Sequence, residues 1–247
     1  MPMHNTANSI PQSSTSPGSA LRLANPVDID AALGDARPTS LQNLLQQAHR
    51  VQYAPHEVVY HAGSANDTLI FITEGLLKLV AYLHNGRERI VRLHRAGEVL
   101  GLGALRGWQH EQTAITLTTA TTLRLPVAAL QRLRSDDPQT YAGLLERWQD
   151  YLREADTWIT DFSTGPIRGR VARLLAFLAK FDTRGPDDQV QLLTCEEMGA
   201  ILGVTSESTS RILAEFKRQG ILAGHVGDCS ELFQTDARRL QTIARNE

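Results

Sequence analysis

Between residues 52 and 126 the chain alternates short apolar runs with glycines. Runs at 58–60, 68–73, 76–83, 89–93, 99–100, 113–118 and 121–125 are rich in Leu and β-branched residues, and each has the length of a strand. Gly63, Gly75, Gly86, Gly97, Gly101, Gly103 and Gly107 punctuate them. Asn85-Gly86 between two apolar runs predicts a tight primed hairpin turn, which needs positive φ. Many short strands at near-even spacing predict a small antiparallel sandwich or jelly roll. Upstream, Leu41, Leu44 and Leu45 share one face of a short amphipathic turn before Val51.

After Pro126 the period lengthens. A short helical stretch over 127–134 is followed by a long helix from about Pro138 to Phe162. Its apolar positions are Tyr141, Leu145, Trp148, Leu152, Ala155, Ile159 and Phe162. Their spacing alternates four and three, the narrow seam of a coiled coil rather than the broader stripe of a helix lying on a sheet. Such a seam asks for an equivalent helix opposite it, so these seven residues are expected to form a homodimer interface. Gly165-Pro166 ends that helix, and Leu174, Leu175, Leu178 and Phe181 mark the next, before a loop over 184–187.

The segment 194–219 is the most informative. Thr194 precedes Glu197 by three residues, a capping box that opens a helix with Met198, Ile201 and Leu202 on its buried face. Gly203 supplies the left-handed geometry that stops it. Thr205 or Ser206 caps the next helix, whose buried face is Ile212, Leu213 and Phe216. Two short helices joined by a glycine-containing turn are a helix-turn-helix. On the outer face of the second, Ser206, Glu207, Ser210 and Arg211 occupy the first turns, where a recognition helix meets base edges. Arg donates two hydrogen bonds to guanine and Glu accepts from cytosine. The same i, i+4 spacing also fits a surface ion pair between Glu207 and Arg211. Downstream, apolar pairs at 221–222 and 232–233 flank a turn-rich segment, 224–230, that predicts a wing hairpin; Thr235 or Asp236 then caps a last helix. Thr205, Lys217 and Arg218, with Arg168, Arg170 and Arg173, are candidate backbone or phosphate partners, the last three fitting a solvated helix face equally well.

The 247 residues carry a net charge of −2 and are 42% hydrophobic, enough for more than one core and without a global pull toward nucleic acid. DNA binding must therefore come from a localised surface. No run of ~18–20 apolar residues is present, which argues against a membrane span, and no basic segment followed by an apolar run marks a secretory leader. Two cysteines, Cys195 and Cys229, build neither a disulfide framework nor a four-thiolate site, so a cytoplasmic location is expected. The expected organisation is an α+β chain: an unstructured tail over 1–36, a jelly-roll (double-stranded β-helix) sensor domain over 37–136, a dimerisation helix over 137–164, and a winged helix-turn-helix over 165–247.

The run from Leu202 to Arg211 resembles the recognition element of the Crp/Fnr transcription regulators, and the order of elements matches across roughly residues 50–245. Gly75, Gly97-Glu98 and Gly101 fall where that family's cyclic-nucleotide-binding-like barrel carries its turn glycines. Glu207, Ser210 and Arg211 look more like the Fnr branch than the Crp branch, where Gly usually precedes the Arg. The resemblance implies a homodimeric activator, palindromic half-sites of the TTGAT type, and RNA polymerase as a partner, with the exposed loop at 84–88 a contact or simply a solvated hairpin tip. A ligand-binding regulatory subunit that uses the barrel without DNA is the alternative. No nucleophile–base set or phosphate loop suggests an enzyme.

The family's sensors are largely missing from the sequence. Cyclic-nucleotide members hold the ribose with a Glu and the phosphate with an Arg; here Leu102 and Gln112 stand in those places. A buried cyclic phosphate would lack its cation, so cyclic nucleotide is not expected. No cysteine precedes Cys195, which excludes the N-terminal iron–sulfur cluster of the oxygen sensors. His56, His61, His84, His94 and His110 lie in the barrel without a His-x-His pattern; no metal is expected, and haem is left open without support. Cys195, in the first turn of the helix before the recognition helix, is either an inert small residue or a thiol lowered by the helix dipole.

Overall fold

The computed structural model describes residues 38–181, 189–191, 193–223 and 232–246. The expected tail, the loop at 184–187 and the wing tip at 224–230 lie outside them. Helix α1 (Pro38–Gln47) leads into eight strands: β1 (His49–Tyr53), β2 (Val58–Tyr60), β3 (Thr68–Glu74), β4 (Leu76–Tyr82), β5 (Glu88–Arg95), β6 (Val99–Leu100), β7 (Thr113–Thr116) and β8 (Ala120–Pro126). They pair antiparallel in two four-stranded sheets, β1-β8-β3-β6 and β2-β7-β4-β5. Inward side chains of both sheets, among them Tyr53, Ile70, Ile72, Leu77, Leu100 and Ala114, form the barrel core. The other face of the first sheet is covered by α1 and by α2 (Val127–Asp136), through Leu44, Leu130 and Leu133 against Leu69, Phe71 and Leu123. Strand β1 was not among the expected strands. Its sequence, His49-Arg50-Val51-Gln52-Tyr53, shows its apolar alternation only over the last three residues, because β1 is an edge strand bonded on one side to β8.

The Asn85-Gly86 hairpin joins β4 to β5, but not by the expected primed turn. Gly86 alone has positive φ (76°); its N–H donates to Leu83 O, and Leu83 N–H donates to Arg87 O. The connection is a three-residue loop in which an ordinary turn is followed by one left-handed glycine, and the Asn85 side chain accepts from Arg87 N–H.

Helix α3 (Pro138–Ser163) follows, capped by Asp137, whose side chain accepts from Thr140 N–H. The expected seam is not uniform along it. Tyr141 packs against the barrel-side core, and Phe162 is 1% exposed within the chain's own interior, stacked edge-on with Trp158 and Phe177. Phe162 is thus withdrawn from the interface set. Leu145 and Ile159 are exposed, at 41% and 58%, and Ala155 is half-buried.

Beyond it lie α4 (Ile167–Phe181), β9 (Gln189–Gln191), α5 (Cys195–Leu202), α6 (Ser206–Arg218), β10 (Leu222–Ala223), β11 (Leu232–Thr235) and α7 (Ala237–Asn246). Strand β9, a single Val between two Gln and so without an apolar run to mark it, completes the sheet β10-β11-β9. Asp236, not Thr235, caps α7, accepting from Arg239 N–H.

His94 is buried at the end of β5, with Nδ1 2.8 Å from Glu98 Oε2. Burial holds its pKa below the usual histidine value despite the nearby Glu98. A histidine kept neutral in the fold but free to charge when unfolded loses stability as pH falls through its unfolded pKa, 6.5. Thermal stability should therefore fall below that pH, by about 1 kcal/mol per pH unit from this group, and His94→Gln should flatten the dependence.

Candidate nucleic-acid interface

Helices α5 and α6 form the helix-turn-helix, and their junction is set by backbone. The capping box is complete: Thr194 Oγ1 accepts from Glu197 N–H at 3.1 Å, and Glu197 Oε2 accepts from Thr194 N–H at 3.1 Å. Gly203 ends α5 with φ 67°, a left-handed conformation that costs a residue with a Cβ. Gly199 is a second requirement, which the sequence reading passed over. A Cβ there would stand 2.8 Å from Val204 O, so bare backbone is what lets α5 close on the turn. The available signal was a glycine inside a helix, four residues before the turn glycine.

Thr205 caps α6, its Oγ1 accepting from Ser208 N–H at 3.3 Å, and Ser206 begins the helix. Thr209, Ile212, Leu213 and Phe216 seal the inner face. Ser206, Glu207, Ser210 and Arg211 are exposed together on the first turns. Among the described residues Glu207 and Arg211 do not pair with each other, so the ion-pair alternative does not hold. This face offers a fork of donors, a hydroxyl and an acceptor on one surface.

The structure treats the other candidate cations differently. Lys217 is half-buried with Nζ 4.4 Å from the centre of the Phe233 ring, so it belongs to the inner face of α6. Arg218 is exposed, as is Thr205. Arg168, Arg170 and Arg173 are not a freely solvated face, since each is half-buried and bonded within the fold. Arg168 Nε donates to Glu215 Oε1 at 3.1 Å, and Arg170 donates to the last carbonyl of α5, Leu202 O, at 2.7 Å. Arg173 donates to the carbonyls of Asp161, Thr164 and Ala244, tying the end of α3 to α4 and α7. A helix whose cations alternate with apolar residues gives no sign from sequence that its cations bond inward.

The helix-turn-helix is docked on the barrel. Met198, Ile201 and Leu202 of α5 share one core with Val80 of β4 and with Ile90 and Leu93 of β5. Inside this contact Lys78 Nζ donates to Glu197 Oε1 at 2.8 Å. Burial alone would raise the Glu197 pKa, but the bond and charge of Lys78 and the bonds from Thr194 outweigh it and hold the carboxyl below its usual range. Arg89 of β5 reaches the turn itself, where a Cβ on Gly203 would meet its guanidinium. Half-buried Cys195 packs at the edge of the same core.

Two family models match the chain: a cyclic nucleotide-binding domain over residues 50–137 and a Crp-like helix-turn-helix domain over 169–243. The chain belongs to the Crp/Fnr family of transcription regulators. It is similar to the cAMP-activated global transcriptional regulator Vfr of Pseudomonas aeruginosa, at 28% identity over 74% of this chain and 88% of the relative. It is 29% identical to the transcriptional regulator LdrP of Thermus thermophilus, over 70% of this chain and 86% of that one. Among solved structures, a CRP-family transcriptional regulator of Thermus thermophilus superposes with a TM-score of 0.67 at 26% identity, covering 79% of this chain and 96% of that one. FixK2 of Bradyrhizobium japonicum shares the fold, with a TM-score of 0.70 at 23% identity over 79% and 96% of the two chains. This regulator is a DNA-binding protein of the Crp/Fnr type, and α5 and α6 lie within its helix-turn-helix domain.

The regulator's barrel carries an open cavity of about 310 Å³ between the strands and Ala155 of α3. Its wall carries Leu79, Leu100 and Leu102, Arg92 and His94 from β5, and Tyr60 stacked at 3.6 Å on His110. Arg92 is a cation on this wall, but the two positions expected to hold a cyclic nucleotide have lost their charged groups. The place of the ribose-binding carboxylate is taken by Leu102, which is 9% exposed, and that of the phosphate-binding Arg by Gln112. Among the described residues no three His, Cys, Asp or Glu side chains converge as a metal site, and no helix is long and apolar enough to cross a membrane.

Replacing Gly203 by Ala should cost about 1–2 kcal/mol in urea unfolding, because its left-handed φ opposes a Cβ. Gly203→Asn should cost less, since Asn tolerates that conformation; equal costs would assign the loss to the Arg89 contact instead.

Proposed function

We propose that the regulator acts as a homodimer on a palindromic site, each α6 reading one half-site in successive major grooves about 34 Å apart. The observation that carries this is the joint exposure of Glu207, Ser210 and Arg211 on the first turns of a helix whose other face is sealed. Arg211 donates to a guanine, Glu207 accepts from a cytosine, and Ser210 contacts a base or a phosphate. Thr205 and Arg218 add backbone contacts that position without specifying; Lys217, turned to Phe233, does not. The pattern around Arg211 supports half-sites of the TTGAT type. The family supports an activator that works with RNA polymerase in the cytoplasm and is not an enzyme.

The dimer forms along α3. Leu145 and Ile159 are large apolar side chains left exposed on a helix with a four-three repeat, and two such helices bury them against each other. Trp148 and Leu152, whose side chains lie outside the described set, continue the same seam. Tyr141 and Ala155 flank it from positions partly committed to the barrel and its cavity.

Selection of bound duplexes from a random library by the purified protein should yield an inverted repeat. Arg211→Ala or Glu207→Ala should cost about 1–3 kcal/mol per half-site and relax base preference at one position. A uniform loss across all sequences would assign the residue to phosphate. Ile159→Asp combined with Leu145→Asp should give a monomer by light scattering with little affinity for the repeat; a variant that stays dimeric would place the interface elsewhere.

A further inference from the structure

We infer that Lys78 is a positioning residue for operator recognition: through Glu197 it fixes the angle of the recognition helix relative to the dimer helix, and so sets the half-site spacing the protein accepts. The inference rests on the paired reading proposed above.

The argument begins with what an apolar contact cannot do. Met198, Ile201 and Leu202 share one apolar core with Val80, Ile90 and Leu93. Burial of such surface is favourable but non-directional, so on its own it permits a helix to rock on a twisted sheet. A buried ion pair is different, because either charge left alone in that interior is strongly unfavourable. Lys78 is 8% exposed and Glu197 9%, and they meet at 2.8 Å inside the apolar contact. Both carboxylate oxygens are used, Oε1 by Lys78 and Oε2 by the N–H and hydroxyl of Thr194. The carboxylate is therefore anchored in the first turn of α5, and the ammonium in strand β4. Any tilt of the head that keeps the apolar contact but moves α5 along the strands separates them.

The rest of the geometry carries that constraint to DNA. Helix α5 joins α6 through the Gly199–Val204 close approach, so the two helices move as one body. The barrel is joined to the dimer helix at both its ends, through Tyr141 and through Arg89, which donates to Ser163 Oγ at 3.3 Å. The sequence Lys78, Glu197, turn, recognition helix is thus a continuous rigid path from the dimer axis to the base edges.

The test uses the full chain and palindromic duplexes built on the half-site that the wild type selects, at the selected spacing and at one base pair longer or shorter, with a single half-site as control. The variant is Lys78→Met combined with Glu197→Gln, which removes the pair without leaving a charge unpaired and so keeps the fold; Gln at 197 retains a capping side chain. One extra base pair rotates a half-site by about a tenth of a helical turn. The wild type should discriminate the selected spacing by about tenfold, and the double variant by about threefold or less at unchanged half-site affinity. Lys78→Arg, which keeps the charge, should restore most of the wild-type ratio. A double variant that unfolds at the wild-type temperature and retains the full spacing ratio would overturn the role of Lys78. A wild type indifferent to spacing would overturn the paired reading itself, before any variant is compared.

Discussion

The two strands β4 and β5 serve two interiors at once, and the rest of the molecule is arranged around that constraint. Leu77 and Leu79 face the barrel core, and Arg92 and His94 line its cavity. On the reverse face Lys78, Val80, Ile90 and Leu93 meet the DNA-reading head. A strand alternates sides with a strict period of two, so Ile90 and Leu93, three apart, share a face only because the pairing slips between them. Leu79 opposes Arg92 while Val80 opposes Ile90, which leaves Val91 as the extra residue of a bulge. That single irregularity is what lets one ribbon present a continuous apolar surface to α5 and still aim Arg92 and His94 into the cavity.

Most of the barrel and the whole helix-turn-helix were legible in the sequence, because their signals are local. Apolar runs broken by glycines mark strands, and a capping box followed by a left-handed glycine marks a helix pair. What escaped were the long-range commitments. Arg168, Arg170 and Arg173 look like solvated cations in any window of the sequence, yet each bonds to another element of the fold. Lys78 sits in a run that otherwise reads as buried strand, and its partner lies 119 residues away, so no periodicity connects them. Strands β1 and β9 were missed for a related reason: β1 alternates only over its last three residues and β9 is a single Val between two Gln, so each owes its existence to its partner.

The long helix shows how one repeat answers to several partners. Its four-three spacing is unbroken from Tyr141 to Phe162, yet the first position leans on the barrel, Ala155 borders the cavity, and the last is sealed under α4. Only Leu145 and Ile159, among the described positions, remain exposed. In the proposed dimer, a seam anchored at both ends by its own chain is already ordered before a second copy arrives, which lowers the ordering cost of association. The same anchoring places whatever occupies the cavity against the helix through Ala155, so cavity contents and dimer geometry are physically adjacent even though the cyclic-nucleotide partners are replaced.

The inward turn of the basic residues bears on how such a chain reads DNA at all. With a net charge of −2 and Lys217 held over an aromatic ring, the helix-turn-helix presents Arg211 and Arg218 as the exposed cations of its two helices. Non-specific affinity grows with the number of phosphates neutralised, so an interface poor in free cations starts from a weak background. In the proposed dimer, discrimination then depends on base-edge contacts and on both heads meeting their half-sites together. A rigid, correctly angled pair of heads is worth more to this molecule than to a strongly basic one, which is the physical reason for fixing the head to the barrel with a directional, buried charge pair rather than with apolar contact alone.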